Sequence, residues 1–311
     1  MNTNFLEPVI LVISGPTASG KTELAIRLAR FFYTEILSFD SRQFYKELTI
    51  GTAKPNQIQL SKVPHHFIGS HSITKEFNAE MFSKEARCKI LEIQKTNKIL
   101  ILVGGSGLYL DSLLYSFDPI PRVPGFIRQS LIKLKEEKGI RALQDLLLEK
   151  DSIYYHKIDL NNPQRLIRAL EVCLGTGKPF SSFRTSQKNA LPGKIIKFSI
   201  YPEIKSLYET INTRVDSMIE MGLEKEVANF KDYEQNNALK SVGYAEFLDF
   251  FNRKLDREEV IPKIKQHTRN FAKRQLTWFR KDQENHFIRS LNIDEQFKNI
   301  ISLLESENFI S

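Results

Sequence analysis

The residues Gly15-Pro16-Thr17-Ala18-Ser19-Gly20-Lys21-Thr22 have the spacing G-x-x-x-x-G-K-[ST], which suits one kind of chemistry, the grip of a phosphate. Glycines let the backbone wrap closely, so that successive N–H groups converge on phosphate oxygens. A helix starting at the loop's end adds partial positive charge at the same point. Lys21 is placed to reach an outer phosphate, and the Thr22 hydroxyl to touch a Mg²⁺ ion. The motif leaves open which phosphate compound binds and what is done with it. Further polar residues recur along the chain. They are Asp40-Ser41-Arg42-Gln43, the turn Gly104-Gly105-Ser106-Gly107, the run Gln164-Arg165-Leu166-Ile167-Arg168, and Arg214. Residues 263–281 hold seven Lys or Arg and no Asp or Glu.

These residues need elements to position them. Val9–Ile13 is an apolar run before the loop, and Leu24, Ala25, Leu28, Ala29 and Phe32 follow it at helical spacing. That gives strand, loop and helix in the order a phosphate loop requires. Glu35–Asp40 reads as a second buried strand. In a doubly wound sheet, ligands bind outside the carboxyl ends of the strands, which sets Asp40 beside the loop. Position alone leaves two roles for Asp40 open, a ligand-facing carboxylate or a helix N-cap. His65 and His66 are adjacent on an extended run, so they point to opposite faces and make a poor metal pair; hydrogen-bonding roles are expected. Phe77–Asn97 has helical periodicity. Ile99–Val103 reads as a buried parallel strand, and the glycines after it permit close backbone approach to a ligand.

Pro119–Gly125 is rich in proline and reads as a linker. Beyond it the pattern is helical. Asn162-Pro163 begins a helix with Asn as N-cap and Pro at the first position, and Gly175 is read as its stop; Leu166, Ile167, Leu170 and Cys173 give its buried face, with Arg165 and Arg168 on another. Ile195–Tyr201 returns as a strand. A helix carrying Leu207, Ile211, Val215 and Ile219 follows and ends at Gly222, with Arg214 on another face. The expected architecture is an α/β, P-loop NTPase-like parallel sheet flanked by helices, with a mainly helical insertion. The core is placed at 1–125 and 191–311, and the insertion at 126–190.

Composition narrows the class. Of 311 residues, 41% are hydrophobic and 26% charged, as in ordinary globular proteins. The net charge of +8 fits a polyanionic partner. The two cysteines, Cys88 and Cys173, each lie in a helical pattern, which argues against a disulfide framework or a zinc site. No basic-apolar-small leader precedes the first strand, and no apolar run approaches the roughly 20 residues of a membrane span. A cytoplasmic enzyme without membrane attachment is expected.

With these pieces in place, the chain resembles the tRNA dimethylallyltransferases, also called tRNA isopentenyltransferases. The blocks that carry the likeness are the loop at 15–22, Asp40–Tyr45, Ile50–Pro55, Val63–His66, Gly104–Tyr109, Asn162–Arg165, Arg214–Asp216 with Gly222-Leu223, and Thr268–Phe279. They cover nearly the whole chain in the family's order. Ser106 departs from the Thr usual there, retaining the hydroxyl. The resemblance implies transfer of a dimethylallyl group from dimethylallyl diphosphate to N6 of adenosine-37, in the anticodon stem-loop of tRNA. Gly15, Pro16, Thr17, Ala18, Ser19, Gly20, Lys21, Thr22 and Arg214 would then hold the diphosphate, with Mg²⁺ at Thr22. Asp40, Lys21 and Arg214 would be catalytic, with Asp40 as general base. Contact with tRNA is implied for Asp40, Ser41, Arg42, Gln43, Ser106, Arg128, Gln164, Arg165, Leu166, Ile167 and Arg168. The insertion would meet the anticodon arm, the basic helix would bind RNA backbone, and the protein would act as a monomer. Two other readings stand beside this one. A P-loop kinase of a nucleotide or small alcohol accounts for the first forty or so residues. A non-catalytic RNA-binding protein with a nucleotide switch accounts for the charge.

Overall fold

The computed structural model describes residues 7–115, 118, 120–184, 191–307 and 309. In chain order the elements are β1 (Val9–Ser14), α1 (Lys21–Phe31), β2 (Ile36–Ser38), α2 (Gln57–Leu60), β3 (His65–His66), α3 (Ala79–Ile93), β4 (Ile99–Gly104), α4 (Gly107–Tyr115), α5 (Gly125–Lys150), α6 (Ser152–Tyr155), α7 (Pro163–Thr176), β5 (Lys194–Ile200), α8 (Ile204–Glu220), α9 (Leu223–Ala228), α10 (Tyr244–Phe251), α11 (Arg257–Phe279), β6 (Asn285–Ile288) and α12 (Ile293–Ser306). The chain forms two compact units, one from Met1–Leu114 with Leu191–Ser311, the other from Tyr115–Ala190.

The first unit is built on a six-stranded sheet ordered β3-β2-β4-β1-β5-β6, every pair parallel. A parallel sheet is covered on both faces, so its central strands must be apolar throughout. The runs VILVIS of β1 and ILILVG of β4 meet that need, and all their residues are buried. On one face, Leu24, Ala25, Leu28 and Ala29 of α1 and Ile300 and Leu304 of α12 pack against Leu11, Ile13, Ile101 and Phe198. Each such Leu or Ile stabilises by about 1.5–3 kcal/mol. The register pairs Ser14 with both Gly104 and Ser199, and Ser38 with Val103. The segments after β1, β2 and β4 therefore leave the same edge of the sheet side by side, and this edge carries the site. A smaller core beneath it joins Tyr45, Leu48 and Ile73 to Val215, Leu223, Tyr244 and Phe247, which braces the 41–53 segment with α8, α9 and α10.

The second unit has its own core, in which Ile127, Leu131, Leu143 and Leu147 of α5 face Leu166, Ile167, Leu170 and Cys173 of α7. The helix α5 is interrupted at Gly139, where φ 75 and ψ 179 lie outside helical values. Asn162 caps α7 by accepting from Arg165 N at 3.2 Å, with Pro163 at the first turn, as its sequence predicts. The stop differs from expectation. The helix runs to Thr176 and ends on Gly177 at φ 70, the left-handed conformation that glycine supplies. Gly175 lies inside the helix, where an added Cβ would meet Val123 at 2.5 Å; it is a close-packing glycine, not a cap. The strand expected over 35–40 is also shorter. Pairing ends at Ser38, and Phe39 N donates to Val103 O before the chain turns away.

Candidate active site

The phosphate loop is held open by its backbone. Ala18 and Gly20 have φ 64 and 81, and Gly20 is the N-cap of α1. Ser19 Oγ donates to Pro16 O at 2.9 Å, and Lys21 Nζ donates to the same carbonyl. Burial pushes the Lys21 ammonium down to about 7 from 10.5; the Asp40 carboxylate opposes that shift and Arg214 adds to it. Burial lowers Arg214 as well, again opposed by Asp40. The three expected catalytic side chains are thus close enough to sense one another. They line a single polar cavity of about 180 Å³ together with Thr22, Ser38 and Gly104.

Asp40 lies in a tight turn and not at the head of a helix. Its Oδ1 accepts from Arg42 N at 3.1 Å, and its carbonyl from Gln43 N at 3.0 Å. Of the two roles left open by position, the helix cap is removed. Ser106 meets this turn directly: its Oγ accepts from Ser41 N at 3.0 Å and lies 2.9 Å from Ser41 Oγ. Gln43 Nε2 donates to the carbonyls of Thr52 and Ala53 at 3.3 and 3.1 Å, which fixes its side chain at the cavity wall. The Arg42 guanidinium lies 4.4 Å from the centre of the Phe271 ring. A second, smaller recess of about 50 Å³ shares Thr17, Asp40 and Arg214 with the polar cavity and continues into apolar walls of Val215, Met218, Val242, Ile264 and Phe271. A polar cradle for an anion and an apolar slot for a short hydrocarbon therefore meet at Asp40 and Arg214.

Several residues that hold this edge together were not singled out by sequence reasoning. Gln275 of α11 accepts from Thr17 N at 2.8 Å and donates to Gly105 O at 2.9 Å. Glu226 of α9 accepts from Thr49 N, Ile50 N and Gly51 N at 3.0, 2.9 and 3.0 Å and from Tyr244 OH at 2.6 Å. Gln296 of α12 donates to Ser19 O at 3.2 Å behind the phosphate loop. The glycines at the end of β4 and beyond it also have close neighbours within the protein. An added Cβ at Gly104, Gly105 or Gly107 would meet Phe39, Gln275 or Trp278 at 2.6, 2.2 and 2.3 Å. They admit the protein's own side chains, and of the three only Gly104 lines the polar cavity.

The basic helix is α11. Part of its charge is spent inside the protein: Lys265 pairs with Asp216 at 2.6 Å, Lys263 with Glu259 at 3.8 Å, and Arg269 donates to Asn212 at 2.8 Å. In the second unit, Arg128 and Arg168 converge on the buried Glu171 at 2.9 and 2.5 Å, and Arg128 also donates to Gln164 at 2.8 Å. Arg165 is exposed beside them. Leu166 and Ile167 are corrected: they are 0% and 2% exposed, packed into their unit's core, because the apolar stripe of α7 occupies the face opposite the arginines. His65 and His66 bond Val63 O at 2.8 Å and Glu35 at 2.5 Å, as hydrogen-bonding residues rather than ligands. Among the described residues no cluster of three or more His, Cys, Asp or Glu could hold a metal. A larger concavity lies away from this chemistry, along α1 between Arg30, Tyr33, Lys62 and Phe297, where Arg27 and Lys62 are paired with Asp294 and Glu23.

Comparison with known proteins agrees with the geometry. The family model described as IPP transferase matches residues 43–282. The tRNA dimethylallyltransferase of Christiangramia forsetii is 46% identical over 298 residues, covering 96% of this chain and 98% of that protein. The tRNA dimethylallyltransferase 1 of Bacteroides thetaiotaomicron is 39% identical over 301 residues, covering 97% and 96%. Among solved structures, the tRNA isopentenylpyrophosphate transferase of Bacillus halodurans superposes with a TM-score of 0.71 at 31% identity, over 96% of each chain. A eukaryotic dimethylallyltransferase acting on tRNA superposes at 0.76 with 27% identity, over 97% of this chain and 80% of that one.

Proposed function

The chain belongs to the tRNA dimethylallyltransferase, or IPP transferase, family, and from that premise we propose that it moves the dimethylallyl group of dimethylallyl diphosphate onto N6 of adenosine-37 in tRNA. It is a transferase that modifies tRNA, and the kinase and nucleotide-switch readings fall with the family assignment. The observation that carries the finer reading is the meeting of the polar cradle with the apolar recess at Asp40 and Arg214. A donor with a diphosphate at one end and a five-carbon tail at the other needs those two surfaces joined at its C–O bond.

The step follows from where the charges lie. The C–O bond of the donor breaks as the N6–C bond forms, and the bonding electrons leave with diphosphate. The loop N–H groups, Lys21 and Arg214 take up the growing negative charge. The N6 amine is a poor nucleophile and must shed a proton; Asp40, at the junction, accepts it. Val215, Met218, Val242, Ile264 and Phe271 hold the tail and exclude water from the carbon under attack. A stacked base cannot reach this junction, so the adenine is turned out and read at its edge, with Ser41, Arg42, Gln43 and Ser106 nearest Asp40. The Thr22 hydroxyl lies in the oxygen-lined polar cavity, a hard donor suited to Mg²⁺, which when bound supplies further positive charge to the leaving diphosphate. Arg128, Arg165 and Arg168 supply positive charge for the anticodon arm with the Gln164 amide beside them, while Leu166 and Ile167 give that surface its footing.

No helix among the described residues is long and apolar enough to cross a membrane. We place the enzyme in the cytoplasm as a monomer. The test is mass analysis of nucleosides from unmodified tRNA incubated with the protein, dimethylallyl diphosphate and Mg²⁺. Prenylated adenosine at position 37 is expected; folded protein that yields none refutes the reading.

A further inference from the structure

Gln275 stands out among residues that the mechanism does not use. It is 5% exposed, it comes from α11, and its one amide spans two loops that face the cavity from different strands. Its Oε1 takes the N–H of Thr17, one of the residues that line both the polar cavity and the apolar recess. Its Nε2 gives to Gly105 O, one residue before Ser106, whose hydroxyl holds the Asp40-Ser41 turn. The fit is close enough that a Cβ on Gly105 would lie 2.2 Å from Nε2. The chain of contacts runs from the donor cradle through Gln275 to the turn that carries the base.

We propose that Gln275 is a positioning residue that sets the register between donor carbon and acceptor amine, by locking the phosphate loop to the Gly105–Ser106 turn. This rests on the transferase reading above. Alignment of reacting atoms within about 3–3.5 Å is needed for attack, and a displacement of about 1 Å costs on the order of a hundredfold in rate. The lock acts on register, so its loss is expected in kcat more than in the KM of either substrate.

Glutamate is the informative replacement. When protonated it copies glutamine: its carbonyl oxygen accepts from Thr17 N and its O–H donates to Gly105 O. When ionised it has no proton to give and sets a negative charge against the Gly105 carbonyl. Burial favours the protonated form and raises the pH at which the switch occurs. Gln275→Glu and Gln275→Leu are compared with the unsubstituted protein across about pH 5.5–8.5, each rate taken as a ratio at the same pH so that pH effects common to the proteins cancel. We expect Gln275→Leu to lose about ten- to a hundredfold in kcat at every pH, with KM changed less than about threefold. Gln275→Glu should match that loss at high pH and recover at least about fivefold of it at low pH. A Gln275→Leu kcat within about twofold of the unsubstituted protein overturns the proposal, as does a Gln275→Glu to Gln275→Leu ratio that does not move with pH.

Folding is checked by circular dichroism and by pyrophosphate binding. Should Gln275→Leu fail to fold, the glutamate variant alone decides through its ratio to the unsubstituted protein, where a flat ratio counts against the lock. If the unsubstituted protein transfers nothing, the functional reading fails. The lock is then read from hydrogen exchange at the Ser41 amide, which the Ser106 hydroxyl holds, as a ratio to the unsubstituted protein at the same pH; Gln275→Glu should raise that ratio at high pH and not at low pH, and a ratio equal at both overturns the proposal.

Discussion

The Glu226 carboxylate offers the sharpest test of how the site edge is held. It accepts three consecutive backbone N–H groups, from Thr49, Ile50 and Gly51, and the Tyr244 hydroxyl. Glu226→Gln keeps the shape and removes the match. The new carbonyl can serve Thr49 and Ile50, but the new NH₂ then faces the Gly51 N–H, donor against donor. Tyr244 can turn its hydroxyl to accept; Gly51 has no such freedom. One bond is lost, one N–H is stranded, and the remaining bonds lose their charge. Hydrogen bonds to a charged group contribute about 1.5–3 kcal/mol each and neutral ones about 1, so a cost of about 2–4 kcal/mol is expected for opening this turn, with exposure at Thr49 favouring the lower end. About 2 kcal/mol is about a thirtyfold rise in the opening equilibrium. Hydrogen exchange at residues 49–51 reads that directly, with Trp278, the sole tryptophan, reporting whether α11 stays packed. The turn also positions the Thr52 and Ala53 carbonyls that fix Gln43, so the KM for tRNA should rise in step. Exchange within about twofold of the unsubstituted protein would mean that water replaces the carboxylate, and the clamp as described is wrong. Gly51→Ala provides an independent route to the same opening, because its Cβ would meet the Tyr244 ring at 2.4 Å.

Three other outcomes follow from the same geometry. Asp40→Asn should slow transfer by about 10²–10⁴ while pyrophosphate still binds in calorimetry; an unchanged rate removes Asp40 as the base. Lys21 titrates near 7 in the ligand-free protein, against 10.5 unfolded, so it is charged below pH 7 and neutral above. Diphosphate must then draw a proton onto Lys21 as pH rises past 7, which weakens binding relative to Lys21→Arg; equal pH profiles for the two proteins would refute it. The sign for folding is the reverse: the unfolded chain holds more protons between about 7 and 10.5, so ligand-free stability from this group grows as pH rises through that window. Glu171→Ala should weaken tRNA binding about tenfold with little change in salt slope, because Arg128 and Arg168 lose the carboxylate that aims them. Were charge alone at work, removing an acid would tighten binding.

The parts of this site that local spacing fixes are legible in the sequence, and the parts that close it are not. Strand-loop-helix spacing placed Lys21 and Thr22, parallel-sheet logic placed Asp40 beside them, and the Asn-Pro signal placed the start of α7. Those are local patterns, each fixed by a few adjacent residues. The apolar spacing of Leu166, Ile167, Leu170 and Cys173 marks the buried face that is found; the tRNA contact that the resemblance implies for Leu166 and Ile167 fails because a family block spans both faces of a helix. At the glycines 104–107 sequence shows that room is made, not what fills it: Gly104 faces the cavity, while Gly105 and Gly107 make room for Gln275 and Trp278. Gln275 lies inside the family block Thr268–Phe279, which does not say what it holds, and Glu226 carries no local signal. Gln275 reaches Thr17 across 258 positions and Glu226 reaches Gly51 across 175, and each reads alone as an ordinary polar residue on a helix. Their importance comes from what they neutralise, the stranded N–H and C=O groups of loops that have left the sheet. Loops that bind must be free of strand pairing at the edge, and every such loop presents buried backbone that needs a partner. A buried amide or carboxylate within hydrogen-bonding reach of two site loops is therefore where residues that hold a catalytic edge in register are to be sought. In this protein those side chains come from α9 and α11, helices of the later part of the chain whose role the phosphate motif does not announce.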